Sequence, residues 1–257
     1  MVDLSDSRRS VVDVKNISLT FQQVEAVRDI SFRVQSQSIF GLVGSDGAGK
    51  SSVLRLIAGM IKPSKGEIYI DGLNSATGRQ KIKHLIGYMP QRFGLYPDLT
   101  VEENMDFFMD VFGIPRVERE KRKEKYLGFS NLLPFLDRLA GNLSGGMKQK
   151  LGLACVLVHE PRLLILDEPT NGVDPVSRRE FWDILGNMKQ AGMTLLVSTA
   201  YLDEGEKCDQ LALMHSGVIL EQSAPAAMRG NYPSLEAAII ARIKKVDKEL
   251  AHDTFSF

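Results

Sequence analysis

The sequence predicts an α/β fold: a largely parallel sheet covered by helices, with an antiparallel β portion and a helical insertion. Three observations predict it. Short apolar runs bounded by polar signals, such as LLILD at 163–167 and TLLVS at 194–198, have the length and bulk of strands buried on both faces. These runs alternate with stretches of helical spacing, the pattern of strand–crossover–strand units. One of them, SIFGLVG at 38–44, feeds a glycine-rich turn that opens a helix.

The elements follow in order. Residues 1–10 are polar and lack the apolar stretch of a secretory leader. VVDVKNISLTF and AVRDISFRV, within 11–34, are rich in Val, Ile and Phe and read as two strands. A helix is expected from Gly49 to about Met60, then a turn at Lys62–Gly66 and further strands in GEIYIDG and HLIGYMP. Residues 100–140 read as helical, with Met105, Phe107, Phe108, Met109 and Phe112 as lobe core and the mixed-sign run Arg116–Lys125 as a solvated face. Another helix is expected over 145–158, where Cys155 reads as a small buried residue. LALMHSGVIL carries the Ser-Gly turn of a hairpin, and 234–250 is a charged helical tail. The expected organisation is one domain over 1–240 with a helical lobe at about 92–150, followed by a tail at 241–257. No internal repeat or low-complexity tract interrupts it.

Composition narrows the function classes. The 257 residues hold 32 basic and 32 acidic side chains, and a formal charge of zero argues against a nucleic-acid-binding protein. At 44% hydrophobic and 25% charged, the chain can build an ordinary core. Its two cysteines, Cys155 and Cys208, lie far apart, which argues against a disulfide scaffold or zinc site and fits a reducing compartment. Apolar runs such as Leu151–Val158 are much shorter than the roughly 20 residues of a membrane span, so any membrane role is expected to come through a partner.

Two segments carry chemistry by residue type and spacing. Gly44-Ser45-Asp46-Gly47-Ala48-Gly49-Lys50-Ser51, followed by Ser52, matches G-x-x-x-x-G-K-[ST], the Walker A pattern, between a strand and a helix. Its glycines let backbone N–H groups turn toward phosphate oxygens, and the helix start adds a positive dipole end. Lys50 is placed to neutralise phosphate charge and Ser51 to offer a hydroxyl to magnesium. The strand Leu163–Asp167 ends in Asp167 and Glu168, and ligands of parallel sheets sit beyond such strand ends. Asp167 suits the magnesium shell, and Glu168 suits orienting an attacking water. A third segment, Ser144-Gly145-Gly146, is by itself either a plain Ser-capped helix or a second anion-binding helix start.

Taken together, GSDGAGKSS, GYMPQRFGLY, LSGGMKQK, LLILDEP and NGVDP resemble the ATP-binding subunit of ABC transporters, over about residues 11–240. The resemblance implies a P-loop NTPase core of ABC type, with ATP and magnesium as ligands and ATP hydrolysis as the activity. It implies that two such domains sandwich two Mg-ATP, as a homodimer or heterodimer, and drive transmembrane permease subunits. The site then lies at the cytoplasmic face of the inner membrane. The wider wording is most similar to ATPases of ABC-2-type exporters, including bacterial efflux ATPases that work with a periplasmic adaptor protein. Residue by residue, the resemblance gives Phe21 to adenine stacking, although by spacing alone Phe21 is equally a core residue at a strand end. It gives Gln91 to sensing magnesium and the γ-phosphate, and Ser144, Gly145 and Gly146 to the partner's ATP. Asp174 falls in the loop that crosses the dimer interface, and Arg92–Pro97 where a membrane partner inserts a coupling helix.

One position departs from the family. Where it places a histidine in a Ser-Thr-His context, this chain has Ser198-Thr199-Ala200. A methyl group cannot hydrogen-bond a phosphate or a water. The expectation is slow hydrolysis at this chain's own site, with its signature segment serving a partner site competently. A soluble non-transport ABC ATPase and a regulatory ATP-binding module with little turnover are the alternatives.

Overall fold

The computed structural model describes residues 9–254, with side chains to residue 247. The polar start read over 1–10 therefore lies almost wholly outside the described residues, as does the end of the tail. Ten strands and eight α-helices follow in the order β1 (Ser10–Phe21), β2 (Val24–Gln35), β3 (Ile39–Val43), α1 (Lys50–Ile57), β4 (Lys65–Ile70), β5 (Leu73–Asn74), α2 (Arg79–Ile82), β6 (Ile86–Met89), α3 (Val101–Val111), α4 (Arg116–Phe129), α5 (Gly145–Leu157), β7 (Leu163–Asp167), α6 (Pro175–Gln190), β8 (Thr194–Thr199), β9 (Gln210–His215), β10 (Val218–Ser223), α7 (Pro225–Arg229) and α8 (Leu235–Thr254). They form two sheets. One is antiparallel in the order β2-β1-β4-β5; the other runs β10-β9-β3-β8-β7-β6, parallel except for the β9–β10 hairpin.

The period-2 alternation of the parallel strands builds two cores at once. Phe40, Leu42, Ile165 and Leu196 face the antiparallel sheet and α1, whereas Val43, Leu164, Leu166 and Val197 face the core that α3, α5 and α6 share. Every residue of β3, β7 and β8 is buried, which is why these runs are continuously apolar. Helix α1 lies between the sheets and buries Val53, Leu54, Leu56 and Ile57 there. The C-terminal ends of β3, β6, β7 and β8 converge where the sequence motifs sit.

The segment read as helical over 100–140 is broken. α3 ends at Val111, Gly113 takes a left-handed φ of 66°, and Pro115 restarts the chain as α4. After Phe129 only short 3-10 turns remain, at Leu133–Phe135 and Ala140–Asn142. Met105 and Met109 are fully buried lobe core, as expected, but Phe112 lies at the surface and stacks on His159 at 4.0 Å. The charge run is not a purely solvated face. Lys123 turns inward and meets Glu102 at 2.7 Å, Glu120 at 3.0 Å and Asp106 at 3.2 Å, and Arg122 donates to the Val158 carbonyl. Burial opposes the charge on Lys123, but its carboxylate partners outweigh that and hold the ammonium above its ordinary range.

The loop before α3 hangs on one amide. Asn104 is completely buried; its Oδ1 accepts from Tyr96 N–H at 2.9 Å, and its Nδ2 donates to the carbonyls of Tyr96, Leu99 and Thr100. Thr100 and Glu103 close a reciprocal capping box beside it. Asn104→Ala takes the acceptor from the Tyr96 N–H and one donor from each of three carbonyls that keep a backbone partner; we expect a loss of about 2 kcal/mol, read as a lower urea midpoint at unchanged slope.

Candidate nucleotide site

The turn after β3 and the start of α1 form one wall of an open cleft of about 440 Å³. Gly47, Ala48, Gly49, Lys50, Ser51 and Ser52 line it, with Glu168 opposite and Val24–Ala26 at the mouth. Gly49 precedes α1 with a φ of 101°, and a Cβ there would lie 2.6 Å from the Ala26 carbonyl oxygen, so only glycine fits. No side chain caps α1, which leaves its first-turn N–H groups without a side-chain acceptor. That wall suits a polyanion.

The charged centre of the cleft is buried. Lys50 Nζ donates to the Gly44 and Ser45 carbonyls at 2.9 and 3.0 Å and lies 3.1 Å from Glu168 Oε1. Glu168 Oε2 accepts from Gln91 Nε2 at 3.1 Å and from Asn171 Nδ2 at 3.3 Å. The Glu168 backbone is left-handed, with φ 47°, an uncommon state for a side-chain-bearing residue. Its N–H is held by the Ser198 carbonyl at 3.1 Å and the Ser198 hydroxyl at 3.0 Å.

Next to this pair, Asp167 collects three hydroxyls. Ser51 and Ser198 both donate to Oδ1 at 2.8 Å, and Tyr88 donates to Oδ2 at 3.3 Å. Burial, and then the Asp167 carboxylate, push the Tyr88 phenol above its ordinary range, so it stays a donor at neutral pH. Tyr88 and Ser198 were not legible as site residues; their signal is only that each lies at the end of a strand beside β7. Ser51 and Asp167 supply one hydroxyl and one carboxylate, a donor set suited to a magnesium ion that takes its other ligands from water and phosphate oxygens.

The remaining candidates lie around this centre. Phe21 is half exposed at the tip of β1, opposite Val24 of the cleft mouth. Asp46 and Ala200 line a smaller polar cavity of about 180 Å³ on the other side of Glu168. Ser144 caps α5, accepting from Met147 N–H at 3.2 Å, and neither it nor Gly145 or Gly146 lines the Lys50 cleft. Gly146 packs against α6 so closely that a Cβ there would lie 2.5 Å from Ser177. Asp174 caps α6 through the Val176 and Ser177 N–H groups, and the Ser177 bond above all holds its carboxyl below the ordinary range. Phe93 and Leu95 pack into the lobe core, whereas Tyr96 is exposed; Arg92, Phe93 and Lys148 line a groove of about 390 Å³ that begins at Gln91.

The family model for ABC transporters matches residues 27–171, more than half of the chain. The chain belongs to the ABC transporter family. It is 46% identical over 203 residues to the probable multidrug ABC transporter ATP-binding protein YbhF of Escherichia coli, covering 79% of this chain. It spans 35% of that relative, about a third of the length of the first curated relatives it matches. It is 35% identical to the Nod factor export ATP-binding protein I of Burkholderia lata, over 84% of this chain and 72% of that one. Among solved structures, an ATP-binding subunit of an ABC transporter superposes with a TM-score of 0.80 at 28% identity, covering 91% of this chain and 99% of the other. A dimeric ATP-binding cassette in a post-hydrolysis state, bound to ADP and phosphate, superposes with a TM-score of 0.74 at 25% identity, covering 83% and 98%. The ABC-type P-loop fold expected from the motifs is the fold observed. Among the described residues, no helix is long and apolar enough to cross a membrane.

Lys50→Met leaves Glu168 buried without its cation. We expect it to destabilise the nucleotide-free protein by about 3 kcal/mol in denaturant unfolding. Calorimetry on the same variant should give a flat ATP isotherm.

Proposed function

We propose that this chain is the ATP-hydrolysing subunit of a membrane exporter, working at the cytoplasmic face of the membrane as one half of an ATPase pair. The buried contact between Lys50 and Glu168 beside the Ser51–Asp167 pair carries the reading. It joins a phosphate-binding cation to a carboxylate in reach of water, which a purely structural glycine turn has no reason to do. The export ATP-binding relatives support the exporter class, and the wording of residues 87–104 favours an efflux system with a periplasmic adaptor beyond the permease.

In this reading, triphosphate in the cleft draws Lys50 away from Glu168 and the two carbonyls, since it carries several negative charges against the carboxylate's one. The carboxylate so released accepts a proton from a water held by it and Gln91. The water oxygen bonds to the γ-phosphorus and stays with the released phosphate, while the bond from that phosphorus to the bridging oxygen breaks and ADP leaves with the bridging oxygen. Bound magnesium would supply positive charge to the phosphates, held by Ser51 and Asp167, with Gln91 contributing partly through water. Phe21 stacks on the base. Ser144, Gly145 and Gly146, aimed away from this cleft, cover the ATP of a second ATPase domain, and Asp174 lies at that seam. The groove beside Gln91 seats a helix of the permease, which links the closing of the pair to the membrane.

Ala200 makes the own-site turnover slow, because no imidazole reaches from that loop toward Glu168. Ala200→His should raise single-turnover hydrolysis about tenfold, and equal rates would remove this part of the reading. Glu168→Gln should trap an ATP-bound dimer, seen by size-exclusion chromatography with light scattering. A variant that stays monomeric with ATP, or phosphate release unchanged by added permease subunits, would point instead to a regulatory ATP-binding module.

A further inference from the structure

The segment that carries Ala200 is fixed by a carboxylate that the nucleotide chemistry leaves unused. Glu204 is 4% exposed. It has no lysine within salt-bridge distance among the described residues. Its Oε1 accepts from the Thr170 hydroxyl at 2.8 Å, and its Oε2 from the Thr199 hydroxyl at 2.6 Å. Both hydroxyls are buried. Thr199 ends β8 immediately before Ala200, and Thr170 follows Glu168 by two residues. One carboxylate therefore clasps the two loops that flank the 180 Å³ cavity beside Glu168. The Thr199 hydroxyl also accepts from Tyr201 N–H at 3.0 Å, which fixes the chain on the far side of Ala200.

Arg178 closes the clasp from outside. Its Nε lies 3.7 Å from Glu204 Oε1, its Nη2 3.5 Å from Asp203 Oδ2, and its guanidinium 4.3 Å above the Tyr201 ring. Arg178 stands one residue beyond Ser177, the residue on which Gly146 packs. The chain of contacts thus runs from the Ala200 loop through Glu204 and Arg178 to the start of α6 and on to the start of α5.

We propose that Glu204 and Arg178 are positioning residues that lock the Ala200 loop to the loop after Glu168, supplying by protein–protein contacts the register that an alanine cannot take from the substrate. A buried carboxylate costs free energy unless its acceptors are filled; here two hydroxyls fill them, and a guanidinium 3.7 Å away offsets the charge. Removing the charge lets the two loops move apart, so Glu168 keeps its chemistry but loses its aim. Misplacement of this kind lowers turnover without lowering substrate affinity. The catalytic part of this inference rests on the ATPase reading above; the locking part does not.

The test uses the full chain and four variants: Glu204→Gln, Arg178→Met, Arg178→Lys and Ala200→His combined with Glu204→Gln. Hydrogen exchange reads the lock directly, without turnover. In Glu204→Gln and in Arg178→Met, peptides covering 168–174 and 199–205 should both exchange about tenfold faster, while those covering α1 stay unchanged. Acceleration in only one of the two segments, or in neither, overturns the proposal. In single-turnover assays, Glu204→Gln should lower kcat about tenfold or more with KM for ATP within about twofold, and Arg178→Lys should recover part of the loss caused by Arg178→Met. The added histidine should restore part of the rate lost in Glu204→Gln, because it gives the loop a second tie. A Glu204→Gln variant with wild-type kcat, or one whose KM rises with kcat unchanged, rejects the positioning role. Should Glu204→Gln fail to fold, the two Arg178 variants carry the same comparison. A wild-type protein that shows no ATP binding by calorimetry rejects the ATPase reading instead, and the exchange result then stands alone.

Discussion

The structure turns on two opposite charges that have left water together. Lys50 is the first residue of α1 and Glu168 follows the end of β7, and neither would be tolerated alone at this depth. Each must be placed to within a fraction of an ångström for their contact to offset the loss of hydration. That requirement is met by rigid parents: Lys50 opens a helix buried between two sheets, and Glu168 follows a strand buried on both faces. The backbone at Glu168 even takes up a left-handed twist, held by Ser198 of the neighbouring strand. The rest of the site is arranged around keeping this pair in place and leaving it open to one side.

What was legible in the sequence is what lies close together along the chain. The glycine-rich turn, the acidic strand end and the Ser-Gly-Gly helix start are each short strings whose residue types answer a local need: tight backbone, a buried acceptor, a cap. The parallel strands were legible because burial on both faces forces apolar residues at every position. What escaped is made of single residues whose partners no sequence pattern marks, whether near in the chain or far. Asn104 reads as an ordinary polar position on a helix, yet it satisfies four backbone groups of the preceding loop. Lys123 sits in a string of alternating charges that looks solvated, and only the approach of α3 to α4 turns it inward. Tyr88 and Ser198 join Asp167 because β6 and β8 are its sheet neighbours, an order set by topology and not by spacing.

The helical lobe shows the same division at a larger scale. Apolar spacing located its buried methionines, but the break at Gly113–Pro115 divides what looked like one helical block. Proline and glycine fix where a helix stops, while the direction of the next element depends on what it packs against. Here α4 returns along α3 and buries a lysine among acidic residues from both.

The sandwiching of α1 has a mechanical corollary. A rod clamped between two sheets cannot tilt or slide without opening a core on one flank. The glycine-turn end of the molecule is therefore an anvil, and any large movement within the fold must come from the parts hung outside that clamp.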